Sequence, residues 1–581
     1  MTDSHALWMA NWELLSDDIL DRQKHLLLYD NLHLTKEQIQ NHALFEIEQI
    51  LVKSGRSLKK FDSIKYPNVS TIRENNNRLL REELDFDRLE LVAEHKKILN
   101  ELNVDQRKIY DAVIQDVACN SGGLYFVYGH GGTGKTYLWK TLIACLHSQG
   151  KIVLVVASSC IAALLLSGGR TAHSKFQIPI IVTQESTCGI KQGTHAAELM
   201  TKVSLIIWNE APMAHRNCFE AVDCSLRDLL RFTNKNSVNK IFGGKTVVLG
   251  GDFRQILPII AKGHREDIVD ALVNRSYLWN FCKVFVLTQN MRLQPPNADS
   301  NNFAEWILKL GNGELGEVDS QSNIVIPSDL LIDIGDDSIQ SIVTATYPNL
   351  HNNYANGKYL EERSILAPTN DVVNEINYYI IDLLASNEET YLSADSICKA
   401  SRYIQNEDVL YPVEFLNSLK FPGIPNHRLR LKVGLPVMLL GNINQLAGLC
   451  NETRLLVTQI SKWVIKAKVI TGSHVGNKVF IPRVILSPSD TKWPFVLKRR
   501  QFPICVFFAM TINKSQGQSL KQVGLFLTKP VFSHGQLYVT VSRVTTRNDL
   551  KLLIIGDDGK TSSTTKNIVY KEVFRNIHIN M

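Results

Sequence analysis

The sequence of 581 residues has no pair of cysteines spaced as C-x-x-C, although it contains 10 cysteines. Such pairs are the usual signature of structural zinc, so we expect no structural zinc and a reducing compartment. No apolar run approaches the roughly 20 residues that a membrane-spanning helix needs. The N-terminus also lacks a basic segment followed by an apolar one. The sequence therefore indicates neither membrane association nor secretion.

Strong net charge, internal repeats and closely spaced histidines are absent as well. The net charge is +7, which permits a nucleic-acid partner but does not predict one. No two of the 16 histidines are two residues apart, which excludes the His-hydrophobic-His nuclease pattern of a rolling-circle initiator. The hydrophobic and charged fractions are ordinary for a globular protein, and the length suggests roughly three to four domains.

A glycine-rich loop is the most informative feature that the sequence does contain. It follows an apolar segment, precedes a helical pattern and fits G-x-x-x-x-G-K-[ST]. In such loops main-chain N–H groups surround phosphates, the lysine reaches the β and γ oxygens, and the hydroxyl can bind Mg²⁺. The pattern predicts nucleotide binding by Gly129, Gly131, Gly132, Thr133, Gly134, Lys135 and Thr136.

Periodicity divides the chain into four regions. Residues 1–98 show helical patterns, including a capping box at Thr35 and Gln38. Residues 99–290 alternate strands and helices, with strands expected at 124–128, 152–157, 203–208, 246–249 and 284–287. A second α/β pattern occupies residues 291–390 and 505–581, with a strand at 364–367 and the sheet resuming at 504–508. Between them, residues 391–504 show closely spaced strands, which predict a small inserted β-barrel.

Two polar residues, Asn209 and Glu210, end a buried strand of the first α/β region. Glu210 is the candidate general base for water. Asn209 stands where a magnesium-directing carboxylate would be expected, and its amide offers only a neutral acceptor oxygen. We therefore expect Thr136 and Asn209 to form the metal site, with weaker metal binding than an aspartate would give.

Gln255 follows another buried strand, in a loop that Asp252 and Arg254 are expected to lock. From there it can reach a γ-phosphate or the attacking water. Arg292 and Arg543 each follow an apolar segment, in different halves of the α/β part. Two such arginines can both hold the transition-state charge of phosphoryl transfer, an effect worth roughly 10³–10⁵ in rate.

Taken together, six segments resemble superfamily-one helicases of the Pif type, closest to plant forms similar to Helitron-transposon helicases. They are residues 102–106, the phosphate loop, and residues 209–216, 250–258, 510–519 and 536–543. The resemblance covers about residues 99–575 and implies an α/β fold with two RecA-like P-loop NTPase domains. The family pattern has aspartate at position 209 and glycine at position 452, where this chain has Glu452.

The resemblance also implies roles and partners. Gln106 would read adenine, Glu210 would activate water, Gln255 would sense the γ-phosphate, and Arg292 and Arg543 would be arginine fingers. Gly517 would join the nucleotide site. ATP and Mg²⁺ would drive 5′ to 3′ translocation on single-stranded DNA and unwinding at single-strand/duplex junctions, in DNA repair, recombination or telomere maintenance. We expect a monomer in the nucleus or, alternatively, the mitochondrion.

A moving helicase needs groups that hold a single strand across both sheets. Candidates with suitable hydroxyl, imidazole or ammonium groups lie after the strands: Ser158, His173, Thr511, Lys514 and His534. The basic and aromatic run at 492–500 could extend this path or form an exposed hairpin.

Two other functions stay open at this point. The chain could be a nonenzymatic DNA-binding remnant of a transposon, in which Asn209 and Glu452 mark decay of the motor. It could also be a translocase that does not unwind. A glutamate at 452 would be strained by the positive φ that a glycine permits, or would force a different turn.

Overall fold

The computed structural model describes residues 4–27, 32–53, 56–61, 63–68, 77–292, 298–316, 322–335, 337–397, 411–444, 447–472, 474–488, 495–556, 558–575 and 577. Over these ranges, no helix combines the length and apolar character needed to cross a membrane.

Residues 1–93 form one compact unit together with residues 145–152 and 190–203. Its helices are α1 Ser4–Asn11, α2 Ile19–Leu27, α3 Lys36–Lys53 and α4 Arg78–Glu82, with α5 Arg88–Asn100 following. The predicted capping box is present, since Thr35 and Gln38 exchange main-chain to side-chain hydrogen bonds of 2.9 and 3.3 Å. The unit departs from the predicted 1–98 region because the Asn77 amide donates to the carbonyl of His195 at 3.0 Å and to the carboxylate of Glu198 at 2.8 Å.

The first parallel sheet lies in the second compact unit, which contains residues 94–144, 153–189 and 204–581. Its strand order is β3-β2-β4-β5-β1-β6, and β1 pairs in parallel with both β5 and β6. The predicted strands are all present, within about two residues. The elements are α6 Val104–Cys119, β1 Leu124–Gly129, α7 Lys135–Ser148, β2 Ile152–Ala157, α8 Cys160–Leu164, β3 Arg170–Thr171, α9 Ala172–Phe176, α10 His195–Lys202, β4 Val203–Asn209, α11 Arg216–Leu230, β5 Thr246–Gly251, α12 Arg265–Asp270 and β6 Cys282–Leu287.

A second parallel sheet has the order β19-β8-β20-β21. Apolar residues of its strands, among them Leu366, Leu525 and Leu552, are fully buried. The elements that form and surround it are α13 Ala298–Asn312, β7 Asn323–Val325, α14 Ser338–Thr346, α15 Leu350–Asn353, α16 Gly357–Glu361, β8 Arg363–Ala367, α17 Asn370–Leu383, β19 Ala509–Thr511, β20 Gln522–Leu527, α19 Gln536–Val541, β21 Leu550–Ile554 and β22 Thr564–Lys566.

Between β8 and β19 the chain forms antiparallel sheets. A five-stranded sheet has the order β15-β14-β13-β12-β18, and smaller sheets have the orders β10-β17-β16 and β11-β9. These elements are β9 Glu388–Leu392, β10 Ala394–Ile397, α18 Val413–Ser418, β11 Arg428–Lys432, β12 Pro436–Leu439, β13 Arg454–Ile460, β14 Val464–Val469, β15 Lys478–Pro482, β16 Val484–Leu486, β17 Leu497–Gln501 and β18 Ile504–Val506. Closure of these sheets into a barrel stays a prediction.

The prediction that the second sheet resumes at 504–508 was wrong. Strand β18 pairs antiparallel with β12 in the inserted sheet, and the parallel sheet resumes only at Ala509. One apolar run serves two short strands of different sheets, and its periodicity alone does not separate them.

Candidate functional site

The phosphate loop connects the end of β1 to the start of α7, as predicted. Gly132 and Gly134 have φ of +93° and +79°, which favours glycine. A Cβ atom at Gly134 would lie 2.3 Å from Nε2 of Gln106, so a larger residue would also displace that side chain. Because the loop leads into the N-terminus of a helix, it offers main-chain N–H groups and a positive dipole end to an anion.

Lys135, the first residue of α7, is buried, and its ammonium group donates to the carbonyls of Gly129 and His130. Burial lowers the pKa of Lys135, while the nearby carboxylates of Glu210 and Asp252 oppose this shift. Thr136 lies half-buried one residue later. The ammonium group of Lys135 therefore faces main-chain carbonyls of the phosphate loop.

Glu210 lies directly after β4 in a left-handed conformation, with φ 53° and ψ 43°. Such backbone strain at a non-glycine residue costs of order 1–3 kcal/mol and often marks a functional position. Burial raises the pKa of this carboxyl, whereas Lys135 and Arg543 favour its charged form. The carboxylate thus lies in a dry site beside two cations, as a positioned base requires.

Three buried side-chain oxygens at this site have no hydrogen-bond partner among the residues that the structure describes. They are Oε2 of Glu210, Oε1 of Gln255 and Oε1 of Gln516. The first two follow strands of the first sheet, and Gln516 follows β19 of the second. Unpaired buried oxygens cost free energy, so their grouping indicates a place where a ligand or water completes the bonding. Gln516 was missed by the sequence analysis, although it lies beside Gly517.

The structure gives the Asn209 amide a partner within the protein, and its contact with a metal stays a prediction. Its Oδ1 accepts a hydrogen bond of 3.1 Å from the indole Nε1 of Trp139. Trp139 is fully buried, and a Cβ at Gly250 would lie only 2.4 Å from its ring. A neutral donor on α7 therefore already bonds to the amide oxygen, and Thr136 and Asn209 both stay predicted metal-binding residues.

Asp252 and Arg254 lock the loop of Gln255, as predicted. The Asp252 carboxylate accepts bonds from the Arg254 main-chain N–H at 3.1 Å and from its guanidinium at 3.2 Å. The hydroxyl of Tyr538 donates to the same carboxylate at 2.6 Å. Tyr538 belongs to α19, so this bond joins the loops of the two parallel sheets. The signal in the sequence for this bond was a tyrosine hydroxyl that needs a partner when it is buried.

The two arginines interact electrostatically at the site, but they differ in their bonding. Arg292 donates to the hydroxyl of Ser519 at 2.9 Å. Arg543 donates to the carbonyls of Val539 at 2.8 Å and Gln518 at 2.9 Å. Burial, followed by the charge of Arg292, lowers the pKa of Arg543 to about 10. Arg543 is therefore held by main-chain carbonyls of α19 and of the segment between β19 and β20, and its finger role stays a prediction.

The structure shows contacts of Gln106 within the protein, and its predicted contact with adenine stays a prediction. The side chain is fully buried, accepts from the N–H of Asn103 at 3.1 Å and donates to the carbonyl of Thr133 at 3.3 Å. It therefore fixes the start of α6 to the phosphate loop. Gly517 has φ +81° in the turn after Gln516, and its nucleotide contact stays a prediction.

Four of the five predicted DNA-contact residues lie at strand ends with some exposure. The hydroxyl of Ser158 accepts a 3.0 Å bond from the Trp208 indole, and His173 is exposed. Thr511 and Lys514 line a cleft whose other walls include residues from the start of α17 and the loop at 420–426. These groups suit a polar strand, and their DNA contacts stay predictions.

The prediction for His534 was wrong. Its ring is fully buried, Nε2 donates to the Phe253 carbonyl at 2.8 Å, and Nδ1 accepts from the Tyr570 N–H at 2.8 Å. Burial lowers the pKa of this imidazole to about 4, so the ring is neutral. Because both nitrogens bind the main chain, His534 supports the fold and offers nothing to a DNA phosphate.

Arg499, in the basic and aromatic run, is also structural. It forms a fully buried ion pair of 2.6 Å with Asp395 and donates to the carbonyl of Leu416 at 3.0 Å. Residues 492–494 of the run lie outside the described residues. The described part therefore does not extend a DNA path through Arg499.

Glu452 adopts the strained alternative of the two that were expected, with φ +69°. Burial raises the pKa of its carboxyl, and the charges of Lys514 and Arg454 oppose this shift. The residue that replaces the family's glycine therefore places a carboxyl near a predicted DNA-contact lysine.

Family profiles match two parts of the chain. The family described as PIF1-like helicase matches residues 101–321, and the domain described as DNA helicase Pif1, 2B domain, matches residues 414–460. The ATP-dependent DNA helicase Pif1 of Campylobacter jejuni is 25% identical over 446 residues, which cover 74% of this chain and 88% of that protein. The ATP-dependent DNA helicase PIF1 of Homo sapiens is 24% identical over 465 residues, 78% of this chain and 61% of the human protein.

Solved structures show the same fold. The Pif1 helicase from Bacteroides in complex with ADP-AlF3 and ssDNA has a TM-score of 0.55 and 22% identity, covering 79% of this chain and 94% of that one. The Pif1 helicase from Candida albicans has a TM-score of 0.52 and 21% identity, covering 81% and 98%.

Proposed function

We propose that this protein is an ATP-dependent DNA helicase that moves 5′ to 3′ along single-stranded DNA, because the PIF1-like helicase family matches its residues 101–321 and the chain is similar to the Pif1 helicase of Campylobacter jejuni. The Campylobacter relative is named an ATP-dependent DNA helicase, which supports ATP as the nucleotide. The Bacteroides helicase was solved with ADP-AlF3 and ssDNA, which supports single-stranded DNA as the track. The chain spans 61% of the human relative, so activities of that whole protein are part of the proposal. The direction of movement rests on family resemblance alone.

The observation that carries the proposal is the group of unpaired oxygens on Glu210, Gln255 and Gln516. They lie on loops of both parallel sheets, beside a phosphate loop whose lysine is buried. The attacking water would donate to such oxygens, while the amide N–H groups of the glutamines can donate to the γ-phosphate. The residues present therefore fit ATP.

Bound ATP supplies the phosphoanhydride that is cleaved, and Mg²⁺ supplies positive charge at the phosphate oxygens. Lys135 would exchange its main-chain carbonyls for phosphate oxygens. Glu210, whose charged form the neighbouring cations favour, would accept the proton of the water that Gln255 orients. Arg292 would add positive charge from the loop after β6 of the first sheet, and Arg543 from the segment after α19.

Magnesium would be held by the Thr136 hydroxyl, phosphate oxygens and water, which Mg²⁺ commonly retains as ligands. Asn209 would contribute no charge, and its side-chain oxygen already accepts a hydrogen bond from the Trp139 indole. We therefore propose a functional but weak metal site.

One short segment, residues 511–516, connects the predicted DNA contacts with the ATP site. Thr511 and Lys514 of the predicted DNA track stand two to five residues before Gln516, whose oxygen faces the ATP site. The carbonyl of Ser515, between them, accepts from Arg543 at 3.3 Å. Movement of this segment upon DNA binding would reposition Gln516 and Arg543, which supports DNA-stimulated hydrolysis.

The test is ATP hydrolysis by the purified chain with and without single-stranded DNA, followed by unwinding of a fork with a 5′ tail. DNA-stimulated hydrolysis with unwinding supports the helicase. Stimulation without unwinding supports the non-unwinding translocase, and DNA binding without hydrolysis supports the transposon remnant.

Finer points belong to the proposal as well. The motif resemblance supports the plant Helitron-like subtype, action in repair, recombination or telomere maintenance, and a nuclear or mitochondrial location. A forked-DNA structure among the relatives concerns two coordinating Pif1 helicases. The monomer that we propose is therefore to be tested by sedimentation with and without forked DNA.

A further inference from the structure

The hairpin formed by β14 and β15 has one face buried in the inserted sheets and one face open. Ile465, Ala467, Val479 and Ile481 are buried in the core. The alternate positions point the other way, as the two-residue period of a strand requires. This open face carries Lys466, Lys468, Lys478 and Phe480, and Lys462 and Trp463 stand just before β14. We call these six residues the lysine–aromatic patch.

Two lysines of the patch face each other across the strands, and none of its lysines has an acidic partner among the described residues. Lys468 and Lys478 are direct cross-strand neighbours, an arrangement of like charges that destabilises a sheet. No carboxylate within the described part of the chain forms an ion pair with any of the four lysines, and Glu362 in the cleft beside Lys468 pairs with Lys521 instead. An anionic ligand would relieve this repulsion.

The aromatic rings of the patch are exposed. Trp463 is 65% and Phe480 is 62% exposed. The Lys462 ammonium lies 5.3 Å from the centre of the Trp463 ring, and that of Lys466 lies 5.8 Å from the centre of the Phe480 ring. Protection of an edge strand would account for lysines on β15, but not for two exposed rings.

Exposed rings beside lysines match single-stranded nucleic acid better than duplex. Unpaired bases stack on aromatic side chains while cations bind the backbone, whereas the bases of a duplex already stack on each other. The patch also lies outside residues 101–321 and 414–460, which the family profiles match.

We propose that the lysine–aromatic patch binds single-stranded DNA, as a contact beyond those predicted for Ser158, His173, Thr511 and Lys514. This inference rests on the proposed function, since it adds a second contact to the strand that the motor holds. A long strand would engage both contacts, while a strand of about 8 nucleotides, near the site size of one small binding domain, would fill only the first.

The test measures binding of fluorescent oligothymidylates of about 8 and about 30 nucleotides over a salt series. One variant combines Trp463→Ala with Phe480→Ala, and another combines Lys466→Gln, Lys468→Gln and Lys478→Gln. A matched control combines Phe232→Ala with Lys235→Gln, which are exposed residues of the first sheet's domain.

We expect the long strand to bind about 10-fold more weakly to the aromatic variant, because stacking is lost. The lysine variant should show a log–log salt slope shallower by about 2, at ~0.7 for each phosphate contact. The short strand and the control should be unchanged. Photo-cross-linking of a long strand that carries 5-iodouracil should label peptides that contain Trp463 or Phe480.

Unchanged long-strand affinity in both variants would overturn the proposal, and so would an equal loss for duplex of the same length. If the wild type binds neither strand and its ATPase does not respond to DNA, the proposed function fails instead. The two failures are therefore distinguishable.

Discussion

Both parallel sheets place polar residues at their strand ends. The two groups of residues differ in whether protein groups complete their hydrogen bonds. After the first sheet, Glu210 and Gln255 keep buried oxygens unpaired. After the second, Arg543 and Tyr538 donate to protein acceptors, and Gln516 alone of the residues discussed there keeps an unpaired oxygen. The first sheet is thus arranged to act on a ligand. The residues after the second sheet bond to protein groups and so fix their own loops. The unpaired oxygen of Gln516 can still respond to a ligand.

The largest effect should come from the first sheet. Lys135→Ala should lower ATP turnover more than about 10³-fold, because a preorganised cation in a dry site is lost. The melting temperature should change little. Turnover is measured with single-stranded DNA present, beside Lys140→Ala, an exposed lysine on the same helix. Turnover near wild type would exclude this loop as the ATP site.

Glu210→Gln should reduce hydrolysis by about 10²–10³-fold while ATP affinity is retained, since the amide keeps the shape but cannot accept a proton. Burial raises the pKa of Glu210, so the wild-type rate should fall with acid at a pH above the ~4.3 of an exposed glutamate. Single-turnover rates and nucleotide titrations measure both. An equal loss of affinity would contradict the assignment as base.

Tyr538→Phe tests the bond between the two halves. Loss of a hydrogen bond to the Asp252 carboxylate should lower the free energy of unfolding by about 1.5–3 kcal/mol. We also expect weaker stimulation of ATPase by DNA. Urea denaturation measures the first effect, with Tyr277→Phe, a partly exposed tyrosine that donates to Asp223, for comparison. Unaltered stability and stimulation would show that the halves do not depend on this bond.

A smaller effect is expected on the DNA side. Replacing Lys514 and His173 with alanine should weaken single-strand binding about 5-fold, with a salt slope shallower by ~0.7 for the lost lysine contact. ATPase without DNA should stay nearly constant. Affinity that is the same at every salt concentration would remove both residues from the track.

The smallest effect should follow Asn209→Asp. A carboxylate adds charge near the metal, so ATPase at limiting Mg²⁺ should rise about 2-fold and converge with wild type at saturation. Magnesium titrations of both forms measure this. If the two curves coincide, residue 209 does not control metal use.

The sequence predicted regular and local features well. The strands around the phosphate loop, the loop glycines and the Thr35 capping box depend on neighbouring residues, whose spacing is visible in one chain. The correct grouping of Glu210 with Gln255 followed from parallel strands that end at one sheet edge.

Contacts between distant residues could not be predicted in the same way. Nothing near His534 indicates that Phe253 and Tyr570 enclose it, and nothing near Asn209 indicates the indole 70 positions earlier. Polar side chains at strand ends look alike in sequence whether they face a ligand or a protein group. Only the fold decides which partner they meet.

The bond between Trp139 and Asn209 couples the effects of substitutions at two positions that are distant in sequence. An aspartate at 209 would still accept the indole N–H, and more strongly because of its charge. The benefit of the carboxylate therefore depends on residue 139, a case of epistasis. A carboxylate placed at 209 is therefore expected to gain less in the presence of Trp139 than after Trp139 is replaced.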